Sequence, residues 1–328
     1  MQIFTDPINS GHNLSKIKFM NQKIKEAAIW GFIVGDALGV PYEFIDREDM
    51  KLAPATGMIS FGTHHQPAGT WSDDTSMMLC VIENIKNNGS PKDLAKLFIR
   101  WYDDAYHTAH GEVFDIGITT RNAIHQLKAG VPLSTSGATD EYAAGNGSLM
   151  RCLPYAFAED FAKSIYEMII DNNITHRLTI CNHCCMFYVK LLQAITKGYN
   201  KEDAVKAGAA YLKFGRRIVD SEDEEADVVY YAKFNRIFNA DFKFLPESAI
   251  KSTGYVLHSL EASIWCFLNS NNYSDAVLKA VNLGGDTDTI AALTGGMAAA
   301  YYGVDNIPKE WLEQIARKKD IENLISTI

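Results

Sequence analysis

Two short acidic clusters, Ser72-Asp73-Asp74-Thr75 and Gly284-Gly285-Asp286-Thr287-Asp288-Thr289, lie 212 positions apart (286 − 74), and each opens an apolar helical run. Together they supply four carboxylates and several hydroxyls. Such hard oxygen donors suit Mg²⁺ or Mn²⁺, whereas zinc prefers nitrogen and sulfur ligands. If folding brings the clusters together, the expectation is a metal centre with two ions.

Each cluster also has an ordinary reading. Ser, Asp and Thr are favoured helix N-caps, and acids in a first turn complement the helix dipole. One cap residue suffices, however, so adjacent aspartates after Gly69-Thr70-Trp71 exceed what capping requires. The same helix N-terminus favours ionised carboxylates, as metal binding needs. In the second cluster, two glycines permit positive φ and close backbone approach just before the acids. An Asp-x-Asp-Thr turn can then aim two carboxylates and a hydroxyl at one point. An EF-hand loop is excluded, because its Gly and terminal Glu are missing and Ile290-Ala291-Ala292-Leu293 follows at once.

Other candidates are weaker alone. Asp36, between Gly35 and Gly39, reads as a loop anchor at a helix C-terminus, and Glu43 as a loop acid or a site carboxylate. Gly145-Asn146-Gly147-Ser148-Leu149-Met150-Arg151 resembles a backbone nest, in which glycines expose N–H groups, Ser148 adds a donor and Arg151 a positive charge for phosphate. Its spacing fits neither a Walker loop nor a dinucleotide fingerprint. His176 faces a ligand or is a satisfied structural histidine. Cys181, His183, Cys184 and Cys185 lie in a helical run without a second pair at ligand spacing, which reads as buried thiols rather than zinc. The acid run Asp220–Asp227 reads as a solvated loop.

The elements that must position these residues are helical. Apolar residues three and four apart predict helices over Lys23–Leu38, Asp74–Ile85, Asp93–Tyr102, Ile116–Leu127, Ser164–Ile170 and Thr179–Thr196. Further helices are predicted over Lys201–Phe214, Val256–Leu268, Ser274–Val281 and Thr287–Tyr302, with one or two more in Pro308–Ile328. No sustained alternation signals a strand. Loops fall at 53–73, 103–115, 128–147 and 215–227. No internal repeat or composition shift divides the 328 residues. The expectation is a single all-α domain over residues 23–328, preceded by a polar N-terminal extension at 1–22.

The formal charge of −9 argues against a nucleic-acid partner or an anionic membrane surface. The longest apolar stretch, Ala291–Tyr302, is far short of a membrane span. Residues 1–23 lack the apolar core of a signal peptide, so six reduced cysteines in a cytoplasmic protein are expected.

Taken in order, these segments resemble the ADP-ribosylglycohydrolase family, the dinitrogenase-reductase-activating glycohydrolase and ADP-ribosylarginine hydrolase type. The resemblance spans roughly residues 24–303. It rests on Gly31–Glu43, Ser72–Thr75, Phe114-Asp115-Ile116-Gly117, Gly145–Arg151, Thr175-His176, Gly254-Tyr255-Val256 and Gly284–Thr289. It implies an all-α orthogonal bundle with a binuclear Mg²⁺ or Mn²⁺ site. By position Ser72, Asp73 and Asp74 match one metal motif, and Asp286, Asp288 and Thr289 the other, with Asp288 as the bridging ligand. Glu43 matches a carboxylate that approaches the metals or their water, and Asp115 an acid that handles the substrate ribose. Asn146, Gly147 and Ser148 match a phosphate-and-ribose loop that Gly145 and Arg151 flank, and His176 and Tyr255 match ligand-lining positions. Ile118 departs from the Asn that many relatives carry there.

The implied reaction is hydrolysis of the N-glycosidic bond between ADP-ribose and a protein arginine. Asp74, Asp115 or Glu43 is then the catalytic acid or base. Alternatives within the family are serine, O-acetyl-ADP-ribose or nucleic-acid-base linkages. An alternative of another class is an immunity-type protein that neutralises a cognate ADP-ribosyltransferase by hydrolysis or by occluding it with residues 1–22.

Overall fold

Two helices that are buried on every side, one over residues 27–39 and the other over residues 287–300, form the centre of the molecule. In the computed structural model, whose described residues are 10–214 and 232–326, α1 spans Ser10–Gly39 and is buried from residue 27 to its end. Helix α13 spans Thr287–Tyr302 and is buried from Thr287 to Ala300. A helix without a polar face must be enclosed by other elements. These two are enclosed because they also pack on each other at unusually short range.

The reason is a stripe of glycines four residues apart on α1. A Cβ at Gly31 would lie 2.4 Å from the Gly295 carbonyl oxygen, one at Gly35 2.2 Å from that of Ala291, and one at Gly39 2.4 Å from Asp288 Cα. The missing side chains let the backbones touch, and this carries Asp36 and Asp288 to the same end of the pair. Gly35→Ala tests the arrangement. In a helix interior the change alone gains about 1 kcal/mol of propensity. Overpacking costs about 1–3 kcal/mol, and here the obstacle is backbone that no rotamer change relieves. A fall in melting temperature of several degrees is expected; a calorimetric Tm at or above the parent's contradicts it.

The remaining helices wrap this core. In chain order they are α2 (Arg47–Leu52), α3 (Asp73–Lys86), α4 (Pro91–Asp104), α5 (Ile118–Lys128), α6 (Leu133–Ser136), α7 (Phe161–Asn172), α8 (Thr179–Thr196) and α9 (Lys201–Phe214). A helical stretch at 232–238 (α10) is followed by α11 (Val256–Leu268), α12 (Tyr273–Val281), and, after α13, α14 (Lys309–Gln314) and α15 (Lys318–Ile325). Helix α4 shows how local signals set a boundary. Ser90 and Asp93 form a reciprocal capping box, Pro91 starts the helix, and Leu94, Leu97, Phe98 and Trp101 make its buried stripe. Helix α1 stops where Pro41 cannot donate to the helical ladder.

The all-α expectation holds: among the described residues there are no strands, only isolated bridges such as Gly145 with Tyr255. No described helix is long and apolar enough to cross a membrane. All six cysteines are free and buried. Helix α1 begins at Ser10 and runs without a break through the boundary expected at residue 22. Residues 1–9 of the expected extension, the expected loop at 215–227 and the acid run Asp220–Asp227 lie outside the described residues.

Candidate active site

The N-termini of α3 and α13 meet. Ser72 caps α3, its Oγ accepting from Asp74 N at 3.2 Å, so Asp73 and Asp74 fall in the first turn. Asp36 on α1 holds that turn: its carboxylate accepts from Ser72 N at 3.0 Å, Thr75 N at 3.0 Å and Thr75 Oγ1 at 2.5 Å. Asp36 is therefore an anchor between helices, a role that the sequence reading limited to its own loop.

At α13, Gly284 and Gly285 have φ of 69° and 75°, as the expected close turn requires. A Cβ at Gly285 would lie 2.1 Å from the Ser252 carbonyl oxygen. Asp286 N donates to that oxygen at 3.0 Å, and Gly285 exchanges hydrogen bonds with the segment after Glu43 (Phe44 N to Gly285 O at 2.7 Å, Gly285 N to Ile45 O at 2.9 Å). Arg47 on α2 secures the neighbourhood by donating to the carbonyls of Leu283, Glu247 and Ile250. In this way Glu43 reaches the second acidic cluster.

The two clusters converge. Ligand-type oxygens of Asp36, Asp74 and Asp288 lie within 4.8 Å of one another, as do those of Glu43, Asp286 and Asp288. Thr289 Oγ1 donates to Asp74 Oδ1 at 3.2 Å, across 215 positions of sequence. Asp288 belongs to both groups. Its Oδ1 accepts from Thr289 N at 2.8 Å, while Asp288 Oδ2 and Asp74 Oδ2 are buried without a hydrogen-bond partner.

Buried, unpartnered carboxylate oxygens are costly. Burial, followed by the charge of Asp288, raises Asp73, Asp74 and Asp286 well above the ordinary carboxylate range. The same causes push Asp36 up to about 7 and Asp115 up to about 11, and they raise Glu43 strongly. The charges that act on the Asp73, Asp74 and Asp286 carboxyls are other carboxylates, with no lysine or arginine prominent among them. Such an all-oxygen set, short of positive charge and with bare inward-facing atoms, fits a divalent cation.

Asp115 precedes α5 in a left-handed conformation (φ 58°) and stands near Glu43 through a residue that sequence reasoning missed. His64 Nε2 lies 2.5 Å from Glu43 Oε2 and 3.9 Å from Asp115 Oδ1. No sequence signal marked it, since it sits in a polar loop without periodicity.

The Gly145–Arg151 loop borders the acids. Asn146 Nδ2 donates to Asp286 Oδ2 at 2.6 Å and to Ser259 Oγ at 3.0 Å, so this amide orients a site carboxylate, and Ser259 joins the site's residues. Gly145 pairs with Tyr255, whose half-buried ring meets His258 edge-on. His176 is 1% exposed; its Nδ1 is on the Thr175 hydroxyl, and its ring lies so close to Gly147 that a Cβ there would be 2.6 Å from His176 Cε1. Burial and the charge of Arg151 lower His176 to about 3.

Two expected ligand contacts are corrected. Arg151, 1% exposed, donates to Gly147 O at 2.6 Å, Asp171 O at 3.2 Å and Thr175 Oγ1 at 2.8 Å, and its guanidinium stacks on Phe98. It braces the loop from inside and does not present its donors to a phosphate. The Ser148 hydroxyl is likewise buried, against Cys185 Sγ at 3.7 Å. These two side chains underpin the loop from within.

With both acidic clusters on one centre, comparison with known proteins has a geometric counterpart. The model of the ADP-ribosylglycohydrolase family matches residues 22–328. The chain belongs to this family. It is 32% identical over 304 residues to an ADP-ribosylarginine hydrolase Tri1 of Pseudomonas putida (strain GB-1), covering 91% of this chain and 76% of that protein. It is 26% identical over 309 residues to the ADP-ribosyl-[dinitrogen reductase] glycohydrolase of Rhodospirillum rubrum, covering 90% and 91%. A solved structure described as an ADP-ribosylglycohydrolase-related protein complex superposes with a TM-score of 0.76 at 28% identity, over 94% of this chain and 98% of that one. The protein is thus a glycosidic-bond hydrolase with ADP-ribosylglycohydrolase activity.

Beside the loop of this glycohydrolase a cavity of about 430 Å³ is lined by Ile118, Asn122, Gln126, Ala138, Asp140 and Tyr142. Ile118, 73% exposed, and Tyr142, fully exposed, form part of its wall. The residue that departs from the family pattern therefore faces this space.

Proposed function

We propose that the protein is a metal-dependent hydrolase that removes ADP-ribose from arginine side chains of modified proteins. The observation that carries the reading is the convergence of Asp74 and Asp288, each with one bare, buried oxygen, in a centre whose Asp286 the loop residue Asn146 holds. The arginine linkage is supported by the names of relatives at 32% identity.

Asp73, Asp74, Asp286 and Asp288 would hold two Mg²⁺ or Mn²⁺ ions, with Ser72 and Thr289 completing the oxygen set. Bound there, the ions supply Lewis acidity that acidifies water and grips ribose hydroxyls. The chain's own residues do the rest. Asn146 keeps Asp286 in register by its 2.6 Å hydrogen bond. The backbone of the loop would approach the pyrophosphate, while at Gly147 the missing Cβ makes room for the His176 ring. The 430 Å³ cavity, of a size that suits a small ligand, takes the adenosine end, with the exposed Tyr142 ring available to stack on the base. Glu43 and Asp115, joined through His64, are the groups to move the proton as water adds to the anomeric carbon and the guanidine leaves.

The test is release of ADP-ribose from arginine-modified protein, serine-modified peptide and O-acetyl-ADP-ribose, each with Mg²⁺, with Mn²⁺ and with EDTA. Cleavage of the arginine conjugate that stops on chelation and returns with either cation is expected. Turnover of only the serine or ester substrate replaces the linkage, and full activity after exhaustive chelation removes the metal. A transferase partner is read in the same assay: protection of a target by inactive Asp288→Ala protein would mark occlusion in place of hydrolysis.

A further inference from the structure

We propose that His64 is a positioning residue that holds the Glu43 carboxyl against the Asp286–Asp288 side of the acid centre. The proposal rests on the reading of that centre as the hydrolytic site, and it starts from how the chain delivers an imidazole there.

Residues 61–66 form a tight turn closed by Phe61 N to Gln66 O at 2.6 Å. Three of its residues, Phe61, Gly62 and His65, have φ between 51° and 74°. At Gly62 a Cβ would lie 2.0 Å from Pro41 O, so only glycine lets the turn lie directly on the 41–43 segment. Thr63 then ties the two together, its N donating to Pro41 O at 3.0 Å and its Oγ1 to Glu43 O at 2.7 Å. The next residue is His64. Its ring is packed near Phe44 at 6.0 Å and Phe114 at 5.2 Å, and Nε2 reaches Glu43 Oε2 at 2.5 Å.

Two non-glycine residues in left-handed conformations, a glycine without substitute and a threonine bridge are a great deal of local constraint for a surface turn. Strain of this kind gathers where a side chain must be held in one place. Glu43 needs such a hold. It follows the short turn Val40–Tyr42 and precedes Phe44 at φ 63°, so no regular element fixes it. The charges around it, on Asp288, Asp115, Asp286 and Asp73, all repel its ionised form. Among the described residues, no other hydrogen bond reaches its carboxyl. Without His64 the carboxyl is free to swing away from Asp286 and Asp288, the group it joins in this structure.

The test uses the full-length protein with His64→Ala and His64→Gln, since a glutamine amide can occupy the place of Nε2. Loss of a hydrogen-bonding partner behind a site carboxylate typically costs about ten- to a hundredfold. His64→Ala should lower kcat on the arginine conjugate by that factor while KM stays within about twofold, and His64→Gln should recover most of the loss. In the ¹⁵N-labelled protein, the His64 ring resonances should move in Glu43→Gln, a readout that needs no substrate. Parental kcat in His64→Ala, equal impairment of both variants, or His64 resonances indifferent to Glu43→Gln would each overturn the proposal. A parent inert towards every ADP-ribose conjugate refutes the hydrolase reading instead, and the resonances still decide the contact.

Discussion

Replacing Asp288 with alanine is expected to lower kcat for ADP-ribose release by about three orders of magnitude, equivalent to roughly 4 kcal/mol of barrier. Asp288 is the carboxylate common to both oxygen groups, one with Asp36 and Asp74, the other with Glu43 and Asp286. Its Oδ1 is oriented by the amide of Thr289 and its Oδ2 is bare, so one oxygen is fixed and the other is open to the proposed cation. Asp36 is the internal contrast. Its carboxylate is already occupied by Ser72 and Thr75, so Asp36→Asn should loosen the start of α3 and reduce stability before it removes a ligand. The measurement is kcat together with Mn²⁺ stoichiometry by titration calorimetry. Two ions still bound to Asp288→Ala, with kcat within tenfold of the parent, would refute its proposed role as a ligand common to both groups.

Stripping the protein of divalent ions should make it less stable as pH rises, the reverse of the usual behaviour of paired carboxylates. Unfolded, these acids titrate near pH 4. Folded and metal-free, Asp36 is pushed up to about 7 and Asp115 up to about 11, with Asp73, Asp74, Asp286 and Glu43 raised as well. Above the unfolded value the native state therefore binds more protons than the unfolded chain, so stability falls as pH climbs through the raised values. His176 acts with the opposite sign: lowered to about 3, it contributes stability that is present above about 6.5 and lost as pH falls. Comparison of pH 7.5 with pH 9 in EDTA avoids that contribution. Mn²⁺ or Mg²⁺ at a hundredfold excess over Kd should then restore about 2.7 kcal/mol, several degrees of Tm for a chain of this size. A metal-free Tm that rises between those two pH values, or one that added cation leaves unmoved, contradicts the site.

The helices and both acidic turns were legible in the residues because the rules that set them are local. Caps, glycines before a turn and apolar spacing act within one or two turns of chain. Helices α4 and α8 and the Gly284–Thr289 turn follow those rules directly, and α8 and α13 begin and end at the expected residues. The stripe Gly31, Gly35, Gly39 was also visible, but its meaning was not, since a missing Cβ has value only against the backbone of a partner helix.

Composition and spacing alone determined an all-helical chain with carboxylates placed at two helix starts. Tertiary packing decided which of those carboxylates touch, that Arg151 and Ser148 turn inward, that Asn146 serves Asp286, and that His64 meets Glu43. The physical reason is range: a side chain's period along a helix is written in its neighbours, whereas a hydrogen bond across 21 or 215 positions exists only once backbones have closed on each other.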